Sequence, residues 1–343
     1  EVGIRDLVAS RGIGVVYKRQ FLSWLGIHVT GDSVAYLNNA LAVAQSGQLE
    51  SNPIWPPLYP MLLGALTRVV GLPTLAAAIL SGASLALMLA ATGRIVLWAT
   101  QSVAVAAVSM VFLCGWWEVL YVFRVAWSEQ LFAALVALHL LAVIVHHTRG
   151  QWWTLGLAAL SVAMVSLCRY IGHSLTLIFC LYAAIWIVQH RAWRAVGAVA
   201  VGLAPLALWL ARNVSRSGTL HGERSPTDRG FGENLSLAAS VIFEQLWQTP
   251  LLPSLLLATV IAAGLVLWKG SGPRRWLLLY VGGWLVLYGA MLLFATSTVQ
   301  MDRINPRFFS PILPALLLLC LLAFAGLAEL SLIHISEPTR RYE

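Results

Sequence analysis

The sequence predicts an all-α, polytopic integral membrane bundle, and three observations carry that prediction. Mean hydropathy is +0.79. Of the 343 residues, 59% are hydrophobic and only 10% are charged, against ~25% charged in soluble domains. Apolar runs recur along the chain at or near the ~20 residues that carry a helix across a bilayer. A transmembrane β-barrel would need short period-two segments, and the runs here show no such alternation.

Taken in order, residues 1–28 hold Arg5, Asp6, Arg11, Lys18 and Arg19, so no uninterrupted span fits there. Residues 29–328 read as one transmembrane domain with external loops over 29–73 and 213–250. Within the first loop, VTGDSVAYLNNALAVAQSGQLESNPIWPPLYP sets an acid, an amphipathic segment and a Trp-Pro-Pro corner beside the membrane. Residues 58–71 are apolar but too short to cross and contain Arg68. With Pro60 in the first turn, where a missing N–H costs nothing, the segment predicts a juxtamembrane helix. About nine spans follow: 74–98, 102–116, 129–147, 152–168, 173–189, 193–212, 251–268, 275–296 and 311–328.

Sidedness follows from the loops. Those near 99–101, 146–151, 189–194 and 269–274 contain no acid, and they or their flanks carry Arg94, Arg149, Arg191, Arg194, Lys269, Arg274 and Arg275. The positive-inside rule puts them in the cytoplasm. All four fall on one side only if 58–71 does not span. The opposite, external side then receives Asp32, Glu50, Glu118, Glu129, Glu223, Asp228, Glu233, Glu244 and Asp302, together with eight arginines. The net charge of +8 therefore points to lipid head groups and anionic substrates rather than nucleic acid.

Each candidate residue has a functional and a plain reading. A carboxylate at the membrane edge is costly without a task, which favours catalysis for Asp32; helix N-capping is the plain role. Glu129 either supports a site or complements the dipole of its own span, with Ser128 as cap. Tyr36, one turn beyond Asp32, lines an acceptor site or anchors the interface. Arg169, next to Tyr170 and one turn before His173, contacts phosphate or snorkels. Arg303 and Arg307, four apart, suit bidentate phosphate contact as a pair. Trp55 can stack on a sugar face.

The remaining residue types exclude more than they suggest. His139, His146 and His147 share a span without a partnered acid and read as packing residues. Cys114, Cys168, Cys180 and Cys320 form no metal-ligand spacing and read as buried small residues. Residues 213–234, NVSRSGTLHGERSPTDRGFGEN, are polar with little periodicity and predict a mobile loop or lid. No P-loop, GxGxxG or HExxH is present, so nucleotide-driven transport and zinc proteolysis lack support.

The order of motifs resembles a family. Gly31-Asp32, Tyr36, Ala40–Ala44, Gly47 and WPPLYP are followed by Ser128-Glu129-Gln130-Leu131-Phe132, Cys168-Arg169-Tyr170, and Asn305-Pro306-Arg307-Phe308 before Pro311 and Pro314. Over 29–328 this resembles the GT-C glycosyltransferases, most of all the bacterial membrane transferases related to protein O-mannosyltransferases and to the aminoarabinose transferase of lipid A. The resemblance implies a polyprenyl-phosphate sugar as donor, an active face outside the cytoplasmic (inner) membrane, and Asp32 as the catalytic aspartate of the first external loop. The family often has a second acid directly after it, where this chain has Ser33. A first span before the aspartate is also expected and is missing from 1–28. Leu330–Arg340, LSLIHISEPTR, resembles a translated sequencing adapter, so 330–343 reads as a non-native tail.

The implied chemistry needs a base for an acceptor hydroxyl and compensation for a departing phosphate. Asp32 serves as the base, in an inverting transfer, and Arg169, Arg303 and Arg307 face the phosphate. No cofactor is required, since arginine can neutralise a single phosphate, and a divalent metal remains compatible. The acceptor is a glycan, a lipid or a protein. The alternative is a transporter or flippase of a lipid-linked substrate, which would show internal repeats and broken helices near the midplane.

Overall fold

A computed structural model of the chain describes residues 26–49, 54–248, 251–269 and 273–336. Residues 1–25, Glu50 and 337–343 therefore lie outside the described residues, and the reading of the N-terminal segment and most of the tail stays an expectation. The described residues form helices, joined by turns, with two isolated β-bridges, His28 with Val125 and Pro226 with Val299.

The helices, in chain order, are α1 (Gly31–Ser46), α2 (Leu58–Val70), α3 (Pro73–Thr100), α4 (Val103–Gly115), α5 (Trp117–Val122), α6 (Glu129–Arg149) and α7 (Trp152–Cys168). They continue as α8 (His173–His190), α9 (Arg194–Ser217), α10 (Phe231–Gln248), α11 (Leu251–Lys269), α12 (Pro273–Thr298) and α13 (Leu313–Ser336). Every predicted span is helical, and among the described residues six stretches are long and apolar enough to cross a membrane. These are Pro73–Thr100, Glu129–Arg149, Tyr170–His190, Arg194–Ser217, Arg274–Thr298 and Pro306–Ala328.

Two predicted spans fall short. Residues 102–116 yield only the 13-residue α4, or ~20 Å of helix, because the helix stops at Gly115. The 17 residues of α7 are likewise short, whereas α11 has 19 residues over Leu251–Lys269. Residues 58–70 form the 13-residue α2, too short to span, as the sequence predicts. The lid expectation needs correction. Asn213–Ser217 complete α9 and Phe231–Gln248 form α10, so only 218–230 connects them without helix.

The chain is an integral membrane protein by composition and by surface. Leucines, valines and phenylalanines remain exposed along the helix flanks, among them Val201, Leu208, Val260, Val286 and Phe294, as lipid-facing positions require. The core is apolar and continuous across α1, α2, α6, α7, α8, α12 and α13. Small residues bring α7 and α9 together: a Cβ on Gly202 would meet the Gly156 carbonyl oxygen at 2.6 Å and the Ala159 Cβ at 2.7 Å. Close approach at small residues is how helices gain packing where lipid supplies no hydrophobic drive.

Two buried histidines inside the bundle are paired. His139 meets Tyr280 Oη at 2.6 Å through Nε2 and Ser161 Oγ at 2.9 Å through Nδ1. His146 Nδ1 lies 2.9 Å from Thr154 Oγ1. These contacts agree with the packing role read from the sequence.

The helices that matter for the site place their ends together. Helices α6 and α8 begin, and α7 and α9 finish, at one end of the bundle. The start of α1 is tied to that end: His28 N donates to Arg124 O at 2.6 Å, and Ala126 N donates to His28 O at 2.9 Å.

Candidate active site

Asp32 sits in the first turn of α1, with Thr30 rather than Asp32 as the N-cap. Glu129 opens α6, with Ser128 at its N-cap. Both carboxylates thus stand at helix N-termini, where the aligned backbone dipoles favour negative charge. Thr30 takes the cap position read for Asp32, whereas Ser128 occupies the N-cap position read from the sequence. Ser128 makes no cap hydrogen bond, and its Oγ instead lies 2.9 Å from Tyr36 Oη and accepts from Arg169 Nη1 at 3.0 Å.

Two arginines bind these acids from segments far away in sequence. Arg169, in extended backbone just past α7, holds Glu129 Oε2 at 2.7 Å. Arg307, in a 3-10 turn over Pro306–Phe308, places Nη2 2.9 Å from both Asp32 Oδ2 and Asp302 Oδ2, and Nε 3.6 Å from Glu129 Oε1. Its guanidinium lies 4.6 Å from the Trp127 ring centroid. The indole of Trp127 in turn donates to Thr30 Oγ1 at 2.8 Å, and Thr30 Oγ1 lies 3.1 Å from Ser33 Oγ. The 3-10 turn is held by Arg307 N donating to Asn305 Oδ1 at 3.1 Å and by Tyr288 Oη donating to Phe308 O at 2.7 Å.

The cluster contains three carboxylates and two guanidiniums. Glu129 is nearly inaccessible, its side chain 3% exposed, whereas that of Asp32 is 31% exposed. Asp32 and Asp302, the latter 56% exposed, are therefore the accessible acids of the cluster, and Glu129 is the buried acid that holds both arginines. Although burial opposes its charge, the Glu129 carboxylate beside Arg169 raises the pKa of that guanidinium, which stays protonated.

Other predicted residues take different places. Tyr36 is buried beneath the cluster, packed against Trp55 at 5.0 Å and Tyr59 at 4.9 Å between ring centroids. Burial pushes its phenol well above the ordinary range, so it works as a neutral hydrogen-bonding support. Trp55 is half-buried against the core.

Arg303 is exposed and makes no ion pair among the described residues. The spacing of four does not pair it with Arg307, because residues 299–305 are not helical. For the same reason Arg169 and His173 share no face: a break separates α7 from α8, and they turn to different partners.

Beyond the Arg169–Tyr170 peptide lies a second group. Tyr170 Oη accepts from Trp209 Nε1 at 3.2 Å and from Asn213 Nδ2 at 3.3 Å. His173 Nε2 and His221 Nε2 are 3.1 Å apart. The 218–230 segment packs down here at Gly222, whose φ is +82° and where a Cβ would meet Ile54 N at 2.8 Å. Arg224 Nη2 donates to Ile54 O at 3.0 Å. Burial, with the nearby Arg169 charge adding to it, lowers its pKa, and it has no carboxylate partner among the described residues.

Sequence reasoning missed Arg224, Asp302, Trp127 and the use of Ser128. A cation inside an aperiodic polar loop carries no signal, and Asp302 was legible only as one external acid among many. Among the described residues, no group of three His, Cys, Asp or Glu side chains could hold a metal ion.

Two solved structures share this fold: ArnT from Cupriavidus metallidurans bound to undecaprenyl phosphate, and the same protein in the apo state. Each superposes with a TM-score of 0.61 at 16% identity. The alignments cover 91% and 92% of this chain and 59% and 60% of those chains, so the chain spans about three-fifths of their length. No protein-family model and no curated protein matches the sequence.

Proposed function

We propose that this chain is a membrane glycosyltransferase that moves a sugar from a polyprenyl-phosphate carrier to an acceptor hydroxyl on the non-cytoplasmic face of a bacterial inner membrane. The observation that carries the reading is the convergence of Asp32, Glu129, Arg169 and Arg307 in one ion-pair network at a single end of the bundle. Support comes from the shared fold with ArnT, one of whose structures holds undecaprenyl phosphate.

In this reading Asp32 takes the proton of the acceptor hydroxyl as its oxygen bonds to the anomeric carbon. The bond from that carbon to the carrier phosphate breaks, and its electron pair leaves with the phosphate oxygen. Attack opposite the leaving group inverts the anomeric centre. Arg307 and Arg224 compensate the charge developing on the phosphate, and preorganised cations of this kind are a large source of transition-state stabilisation.

Arg307 holds Asp32 at 2.9 Å, so an anion that competes for the guanidinium would release the base. The donor phosphate is that anion, which makes donor binding precede acceptor activation. No resident cofactor enters these steps. The acceptor, whether glycan, lipid or protein, is met on the more open Asp32 side.

The test is transfer in proteoliposomes from radiolabelled polyprenyl-phosphate sugars to a crude envelope fraction, for the wild type and Asp32→Asn at equal protein. Label in acceptor for the wild type alone supports the reading. Equal transfer by both removes Asp32 as the base. Movement of labelled donor across the vesicle membrane without transfer would establish the transporter alternative, and retention of the donor's anomeric configuration would exclude direct inversion.

A further inference from the structure

A second feature at the same end of the bundle belongs to neither group described above. A cavity of about 340 Å³ opens between the C-terminal turns of α1, the first turn of α2 and the end of α9. Val43, Leu49 and Met61 give it an apolar wall, and Arg212 and Arg216 give it two cations one helical turn apart. Neither arginine has a carboxylate partner among the described residues, and none lines the cavity.

Arg212 is oriented rather than loose. Its guanidinium lies 4.5 Å from the Trp209 ring centroid, and Nη1 donates to Asn213 Oδ1 at 3.3 Å. Alongside, α9 turns Val201 and Leu208 outward, 74% and 71% exposed, which in a membrane protein is a lipid-facing surface. A phosphate at the arginines and an acyl chain along α9 would satisfy both halves of this arrangement. A free anion would satisfy only the first.

We infer that the groove between α1, α2 and α9 binds the headgroup of one anionic phospholipid through Arg212 and Arg216. The inference rests on membrane embedding and not on the transferase reading. Its occupant is structural: it ties the end of α9 to α1, the helix that carries Asp32. The path inward is short, because Asn213, held by Arg212, donates through Nδ2 to Tyr170 Oη at 3.3 Å.

The experiment is native mass spectrometry of the detergent-purified, delipidated chain titrated with phosphatidylglycerol, with phosphatidylcholine and inorganic phosphate as separate arms. One phosphatidylglycerol is retained by the wild type in preference to phosphatidylcholine. Charge-assisted hydrogen bonds of this class imply an affinity loss of about tenfold or more for Arg212→Gln with Arg216→Gln. Arg216→Gln alone, at an exposed position, gives part of that loss if the double variant does not fold. Arg124→Gln, an exposed arginine outside the groove, leaves retention unchanged.

Three results would overturn the inference. Unchanged retention in Arg216→Gln and in a folded double variant would mean that the arginines only offset the negative C-terminal ends of α1 and α9. Equal loss in Arg124→Gln would mean general surface charge. Displacement of the lipid by inorganic phosphate at equal concentration would make this a free-anion site.

Discussion

The two sides of the Arg169–Tyr170 peptide are built on opposite electrostatics. On one side Asp32, Glu129 and Asp302 outnumber Arg169 and Arg307, and two helix N-termini stabilise the excess negative charge. On the other, Tyr170, His173, His221 and Asn213 are joined by neutral hydrogen bonds, with Arg224 close by and no carboxylate paired to it among the described residues. A reaction that takes a proton from one substrate and releases an anion from another needs both conditions within a few ångströms. In the proposed reading Asp32 serves the proton, and Arg307 and Arg224, one from each side, serve the phosphate.

The largest effects test the acidic side. Asp32→Asn keeps the size of the side chain and removes its basicity, so transfer falls by about 10²–10⁴-fold, the usual contribution of a general base. Thermal unfolding of this variant stays close to wild type, since Asp32 is part exposed. Glu129→Ala should behave differently. It leaves Arg169 desolvated without its 2.7 Å partner, and breaking a buried pair from one side costs about 3–5 kcal/mol. Loss of activity in Glu129→Ala with unchanged stability would make Glu129 a second reacting acid and dissolve the division of labour between the two carboxylates.

A smaller effect tests the cationic side. Arg224→Gln removes a charge-assisted contact worth about 1.5–3 kcal/mol, or roughly one to two decades in the donor KM. The acceptor KM stays in place. If the acceptor KM rises instead, Arg224 serves the acceptor and the comparison is reversed. Tyr170→Phe deletes the acceptor atom shared by Trp209 and Asn213 and lowers stability by about 1 kcal/mol, with little change in the chemical step.

Much of this architecture was legible from residue types, and the reasons for the exceptions are physical. Membrane economy singles out charged residues, so Asp32, Glu129, Arg169 and Arg307 stood out against apolar runs. Which acid meets which arginine did not, because Arg307 and Asp32 are 275 residues apart and no local period links them. Helical spacing misled at Arg303 and at His173, where turns break the period. Hydropathy located α4 but could not show that Gly115 ends it too early to be a full-length span. The helix α10 was hidden because the polar stretch before it, 213–230, dominated the reading of the whole loop.

The smallest effect concerns acidity. Burial, reinforced by the Arg224 charge, holds His221 below the ordinary imidazole range. Its ring faces His173 Nε2 at 3.1 Å and Tyr170 at 4.5 Å between centroids, so it is bound in its neutral form. The unfolded or undocked segment takes up a proton more readily than the docked one. Docking stability is therefore full above about pH 6.5, the unperturbed imidazole value, and is lost as the pH falls. Hydrogen exchange across 218–230 should accelerate between pH 7.5 and pH 5 in the wild type, while exchange at α6 and α7, corrected for the intrinsic rate, stays constant. His221→Gln should flatten that dependence. Acceleration spreading equally to the Glu129 end of α6 would show that the two sides unfold as one unit, and that their opposite electrostatics do not divide the site.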